Sequence, residues 1–131
     1  MATIDGGMTV TTREPDAILG GGHPPVLVPG TLKADTTSAV RGLVCAVVTD
    51  TTSEDFGLWV AWNPAGDDGS QNACGILANN VNVVGSDSPA RFYVHVEANN
   101  AALNWGDGTD DEIAAEIAKL RALGVYVQEV A

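Results

Sequence analysis

The chain is poor in four things, and each shortage narrows what it can be. Basic residues number 6 against 17 acidic ones, a formal charge of -11 over 131 residues. Nucleic-acid binding needs a cationic stripe that releases counterions from phosphate, and an anionic bilayer repels so acidic a chain, so neither is expected as a partner. Cysteine is limited to Cys45 and Cys74. Neither stands in a C-x-x-C or Cys/His cluster and both have apolar neighbours, so they read as two buried free thiols rather than a disulfide framework or a zinc site. No apolar run approaches the roughly 20 residues of a membrane span, and Met1–Val10 has neither the basic nor the apolar region of a signal peptide. Aromatic residues make up 5% of the chain, so small aliphatic side chains must build most of the core. With 45% apolar residues it is still no disordered polyanion. The length suits one domain.

Recognisable chemistry is scarce too. There is no G-x-S-x-G elbow, phosphate-binding glycine loop, G-x-G-x-x-G or H-E-x-x-H. His23 lies in a Gly/Pro-rich stretch that cannot hold a catalytic group to the tolerance chemistry needs. His95 and Glu97 share one face of a predicted strand, which reads as a solvated face rather than an acid/base pair or metal site. The acids at Asp67-Asp68 and at Asp107, Asp110, Asp111 and Glu112 lack calcium-loop spacing, and a helix N-terminus accounts for most of the second group. No basic residue stands between Arg41 and Arg91 to clamp a phosphorylated substrate. No enzyme activity, cofactor or metal is therefore expected. A small enzyme or metal-binding domain centred on these residues is the least favoured reading.

Two regions follow. Residues 1–25 carry Gly6-Gly7, Gly20-Gly21-Gly22 and Pro24-Pro25 without sustained periodicity. They read as a flexible arm, mobile in isolation and able to become an extended strand on a partner. Within it Met8-Thr9-Val10-Thr11-Thr12 has the β-propensity of a pairing segment. Residues 26–131 read as a β-rich domain. Val26-Leu27-Val28 opens it and Pro29-Gly30 reads as a turn. Leu43–Val48 is predicted as a buried strand. Leu58–Trp62 is a second, where only one of Trp59 and Trp62 can face the core; the other, and Trp105, are candidate exposed contacts, with core packing the favoured reading for each tryptophan taken singly. Ala73–Leu77 is a third, where Gly75 marks a bulge or a close approach. Val81–Val84 is predicted as a short strand. In Arg91–Val96, Phe92, Val94 and Val96 point inward while Tyr93, His95 and Glu97 point outward.

One helix stands out. Thr109 and Glu112 fit a capping box, Asp110 and Asp111 suit the first turn, and Gly124 supplies a left-handed stop. Ile113, Ile117, Leu120 and Leu123 recur on an inward face, with Glu116 and Lys119 outward. A strand over Val125–Val130 closes the chain. The expected fold is mainly β with one C-terminal helix (α+β): a small barrel or sandwich-like body behind an N-terminal arm.

Four stretches in this order carry a resemblance. They are Pro25-Val26-Leu27-Val28-Pro29-Gly30-Thr31-Leu32; Leu58-Trp59-Val60-Ala61-Trp62 with Asp67-Asp68-Gly69 and Ala73-Cys74-Gly75-Ile76-Leu77; Ala90-Arg91-Phe92-Tyr93 through Asn104-Trp105; and Leu120–Val130. Together they cover roughly three quarters of the chain and resemble the head decoration protein family of tailed bacteriophages. The loops 50–55 and 64–72 are longer, and the arm has no residue-level counterpart.

The resemblance implies a non-enzymatic cement. Such a protein binds the major capsid protein on the outer surface of the expanded head, as a homotrimer at three-fold positions, and reinforces the shell against DNA pressure. It implies a virion component made in the host cytoplasm, whose residues 1–25, through Met8–Thr12, become ordered on the capsid. Position between strand and helix nominates Ala98, Asn99, Asn100 and Trp105 as trimer contacts. The alternative is another virion module, a tail or fibre-associated β domain that binds protein or glycan.

Overall fold

The computed structural model describes residues 2–3, 9–10 and 24–128. Two short strands, β1 (Ala2–Thr3) and β2 (Thr9–Val10), pair antiparallel with each other. Of the predicted pairing segment, Met8, Thr11 and Thr12 lie outside the described residues, as do His23 and the last residues of the expected closing strand.

The body is built from β3 (Val26–Leu32), β4 (Val44–Val47), β5 (Trp59–Ala61), β6 (Ala73–Leu77) and β7 (Ser88–Asn99). They run in the order β3-β5-β4-β6-β7, and β3 pairs again with β7, so the sheet closes into a five-stranded barrel. The closure is narrow on one side: β3 meets β5 only at Leu32 and Trp59, so the rest of β3 pairs with β7 alone. A sixth strand, β8 (Val125–Gln128), adds parallel to the far half of β7, and helix α1 (Asp110–Leu123) packs across β8 and β6. The helix ends as its residues dictate. Thr109 Oγ1 accepts from the Glu112 N–H while the Glu112 carboxylate accepts from the Thr109 N–H, and Gly124 closes it at φ 103°.

Several expectations give way to tertiary context. Pro29-Gly30 is no turn: β3 runs straight through it, with Pro29 opposite Arg91 and Gly30 opposite Ala90. Along this stretch β3 has a neighbour on one edge only, where a strand tolerates a residue without an N–H. Gly30 is required because a Cβ there would come 2.4 Å from the Trp59 indole nitrogen. Val81–Val84 is not a strand. Asn80 and Asn82 side chains accept from the Arg41 and Val84 backbone N–H groups, and such local bonds compete with a ladder.

Both tryptophans of the β5 region are buried, which corrects the expectation that one would be exposed. Trp59 stacks on Phe92 in one core cluster, and Trp62 meets Trp105 edge-on in the other. Two clusters exist because the barrel interior covers one face of the strands and α1 covers the other.

The same arrangement revises β7. Leu27 pairs with Tyr93 but Val26 pairs with His95, so the ladder slips at Val94. A bulge of this kind re-aims the side chains beyond it. Phe92 and Val94 therefore pack in the cluster around Trp59, whereas Tyr93, Val96 and Ala98 pack in the cluster under the helix. Strict alternation predicted Val96 with Phe92 and Tyr93 outside. On α1, Glu116 is buried rather than outward and Leu123 is exposed rather than inward. Helical spacing from Ile113 to Leu120 places Glu116 on the inward stripe, and there it accepts a hydrogen bond from the Ala73 N–H at 2.8 Å.

Candidate functional surface

The polar residues that invited a catalytic or metal reading are occupied in structure. Asp50 accepts from the N–H and hydroxyl of Thr52, and Asp68 from those of Ser70. The Thr52 and Ser70 hydroxyls, and then their N–H groups, hold these two carboxyls below the usual carboxylate range. Asp110, Asp111 and Glu112 form the first turn of α1. Among the described residues, no group of three or more His, Cys, Asp or Glu side chains is placed to hold a metal ion. His95 packs edge-on to Tyr126 at 6.1 Å, and its Nδ1 fills the space a Cβ at Gly124 would need. Glu97 accepts from Gln128. Burial pushes both cysteine thiols up, Cys45 furthest.

A groove of about 570 Å³ runs between the 33–38 loop and the 104–107 turn. Its charged lining is Lys33, Asp35 and Asp107, over a floor that includes Leu43, Val60 and Trp62. Lys33 is bound to Asp55 at 2.6 Å. No helix among the described residues is long and apolar enough to cross a membrane.

Another candidate surface lies at the start of β3. Val26 is 50% exposed and Leu27 38%, the first residues of β3 after Pro24-Pro25. Val26 is paired with His95, His95 touches Tyr126 and Gly124, and Leu123 precedes Gly124. Tyr126 is 36% and Leu123 56% exposed. Val26, Tyr126 and Leu123 thus come from three elements that meet around His95 and Gly124, while Val40, Phe56 and Val84 are exposed on other loops. The sequence held a signal for this surface: Val26-Leu27-Val28 is apolar on every residue just after a Pro pair. Tyr126 and Leu123 could not be added without knowing that β8 lies parallel beside β7.

The four nominated contact residues sit next to this region along β7 and after it. Ala98 is fully buried and Trp105 nearly so. Trp105 donates its indole N–H to Asn100 at 2.7 Å and packs on Trp62. Asn99 caps the short 3₁₀ turn Asn100–Ala102, accepting from the Ala101 N–H. Asn99 and Asn100 are half-buried.

No curated protein matches the chain. A family model does, that of bacteriophage lambda head decoration protein D, over residues 9–125 of 131. The match spans part of residues 1–25, the whole barrel and α1, and it supports a structural role in decorating the phage capsid at the surface of the head. By this match, the chain belongs to the bacteriophage lambda head decoration protein D family.

Proposed function

We propose that the protein is a capsid cement that docks through the root of its arm. The carrying observation is the exposure of the apolar residues Val26 and Leu27 at the start of β3, with Tyr126 across His95 from Val26 and Leu123 beside Gly124. It gives a second contact beside the arm itself, and many copies on one lattice multiply weak contacts into firm attachment. Residues 1–25, with Met8–Thr12 as the pairing segment, add as a strand to the major capsid protein. Residues 26–131 form the decoration domain. Three copies gather at each three-fold position of the expanded head and brace the shell against the pressure of packaged DNA. Ala98 and Trp105 support the trimer contact from beneath, and Asn99 and Asn100 present the polar groups. The net charge of -11 keeps the free protein soluble in the host cytoplasm before it reaches the virion.

Co-sedimentation with decoration-free capsids, unexpanded and expanded, tests this reading. Saturable binding to expanded shells alone, near one copy per capsid subunit, is the expected result. Binding to neither form overturns it. Removing residues 1–25 should abolish binding while the melting temperature of the body stays nearly constant. Leu27→Asp should weaken binding at least tenfold with a similarly small effect on melting.

A further inference from the structure

Cys45 and Cys74 are free thiols on neighbouring strands. In the β4–β6 ladder Cys45 lies opposite Gly75 and Ala46 opposite Ala73, so Cys74 is the extra residue of a bulge beside Cys45. A bulge sets two residues of one strand against a single residue of the other. Cys74 is thus the chain neighbour of Gly75, the residue opposite Cys45, which sets the two cysteines side by side across the ladder; a disulfide bridges Cα atoms roughly 4.4–6.8 Å apart. Both cysteines also pack in the same core cluster, the one around Trp59 and Phe92, so both side chains lie on one face of the sheet. Cys45 is fully buried and Cys74 half-buried. One thiol of the pair is therefore within reach of a reagent and the other is not.

We infer that Cys45 and Cys74 are a closable pair, which a disulfide oxidant such as glutathione disulfide converts into an intramolecular bridge stapling β4 to β6. The Cys74 thiolate attacks glutathione disulfide and displaces one glutathione thiolate, leaving a mixed disulfide on Cys74. The Cys45 thiol loses its proton and its sulfur attacks the Cys74 sulfur, displacing the second glutathione. Two protein thiols are oxidised to one disulfide, and one glutathione disulfide is reduced to two glutathiones. Burial disfavours both thiolates, so closure is slow at neutral pH and accelerates as pH rises. The bridge spans the 46–73 segment, which includes β5 and its flanking loops, and constrains that segment in the unfolded chain. A capsid-bound protein released from a reducing cytoplasm would meet such oxidants. That setting rests on the decoration reading; the thiol chemistry does not.

The full chain is incubated, folded and reduced at the start, with glutathione disulfide at pH 7 and pH 9. Intact mass, non-reducing peptide mapping and melting are then measured. The expected product is monomeric, lighter by two hydrogens, and linked Cys45 to Cys74. It forms faster at pH 9 and melts roughly 5–15 °C higher than the reduced chain. The Cys74→Ser variant should form no bridge and show no oxidant-dependent change in melting. Three results overturn the inference: glutathione held on Cys74 with Cys45 still free, a disulfide-linked dimer, or two free thiols after incubation that oxidises an unfolded control. Capsid co-sedimentation of the reduced chain is run in parallel, so a failed bridge and a failed decoration reading are told apart.

Discussion

The two tryptophans of the β5 region, three residues apart, end in different kinds of core. Trp59 lies in the barrel interior, stacked on Phe92 at 3.9 Å with an interplanar angle of 8°. Its space comes from missing side chains: Cβ atoms on Gly30 or Gly75 would fall within 3 Å of the indole. Trp62 lies under α1, where it meets Trp105 at 81° and donates its indole N–H to the Gln71 carbonyl. This second core also admits a carboxylate, Glu116, which ties α1 to the start of β6 through the Ala73 N–H. A closed barrel fixes its strands by ladder bonds, so its interior needs only shape. A helix laid on a sheet can slide, and a buried hydrogen bond of defined geometry fixes its place.

If that contrast is right, the barrel interior should be the costlier place to remove volume. Phe92→Ala is expected to lose about 3–5 kcal/mol and Leu120→Ala, under the helix, about 2–5. Denaturant unfolding of both measures the difference, and a smaller loss at Phe92 than at Leu120 would break the comparison. Adding volume should discriminate more sharply. Gly30→Ala is expected to cost about 1–3 kcal/mol by overpacking. Trp59→Phe in the same chain should recover part of that cost, a non-additivity that a double-mutant cycle reads directly.

The helix-side core should respond to polarity instead. Glu116→Ala leaves the Ala73 N–H without its acceptor and is expected to cost about 1–3 kcal/mol. Glu116→Gln keeps an acceptor oxygen and should cost less. Equal losses for the two would show that Glu116 matters for its volume and not its hydrogen bond.

The smallest effect belongs to neither core. Asp50 and Asp68 have folded pKa values below their unfolded ones, held down by Thr52 and Ser70. Their stabilisation is present above the unfolded carboxylate range near pH 4 and is lost as pH falls through the lowered folded values. Melting temperature should therefore decline below about pH 4. Asp68→Asn should flatten that decline slightly, by lowering the value at pH 7 a little and leaving the acid value nearly unchanged. A melting profile already falling between pH 7 and 5 would point to other groups.

Much of the fold could be read directly from the residues. The capping box at Thr109 and Glu112, the stop at Gly124 and the buried run Leu43–Val48 are local facts, and each stands where its residue types place it. The order of strands and the family likeness were legible for the same reason: turn residues and apolar runs are written along the chain. The functional surface was half legible. Val26-Leu27-Val28 is conspicuous in sequence, but Leu123 had been assigned to the helix's inward stripe and Tyr126 to an ordinary closing strand.

The sequence by itself therefore determined composition, charge, element types and the helix boundaries, because these depend on residues within a few positions of one another. Tertiary structure alone decided which face each element buries. Closure of β3 on β7 covered one side of the strands, α1 covered the other, and the bulge at Val94 exchanged the faces midway along β7. A period of two predicts alternation, not which side has a partner. That is why Tyr93 and both tryptophans of the β5 region are buried and Glu116 is turned inward.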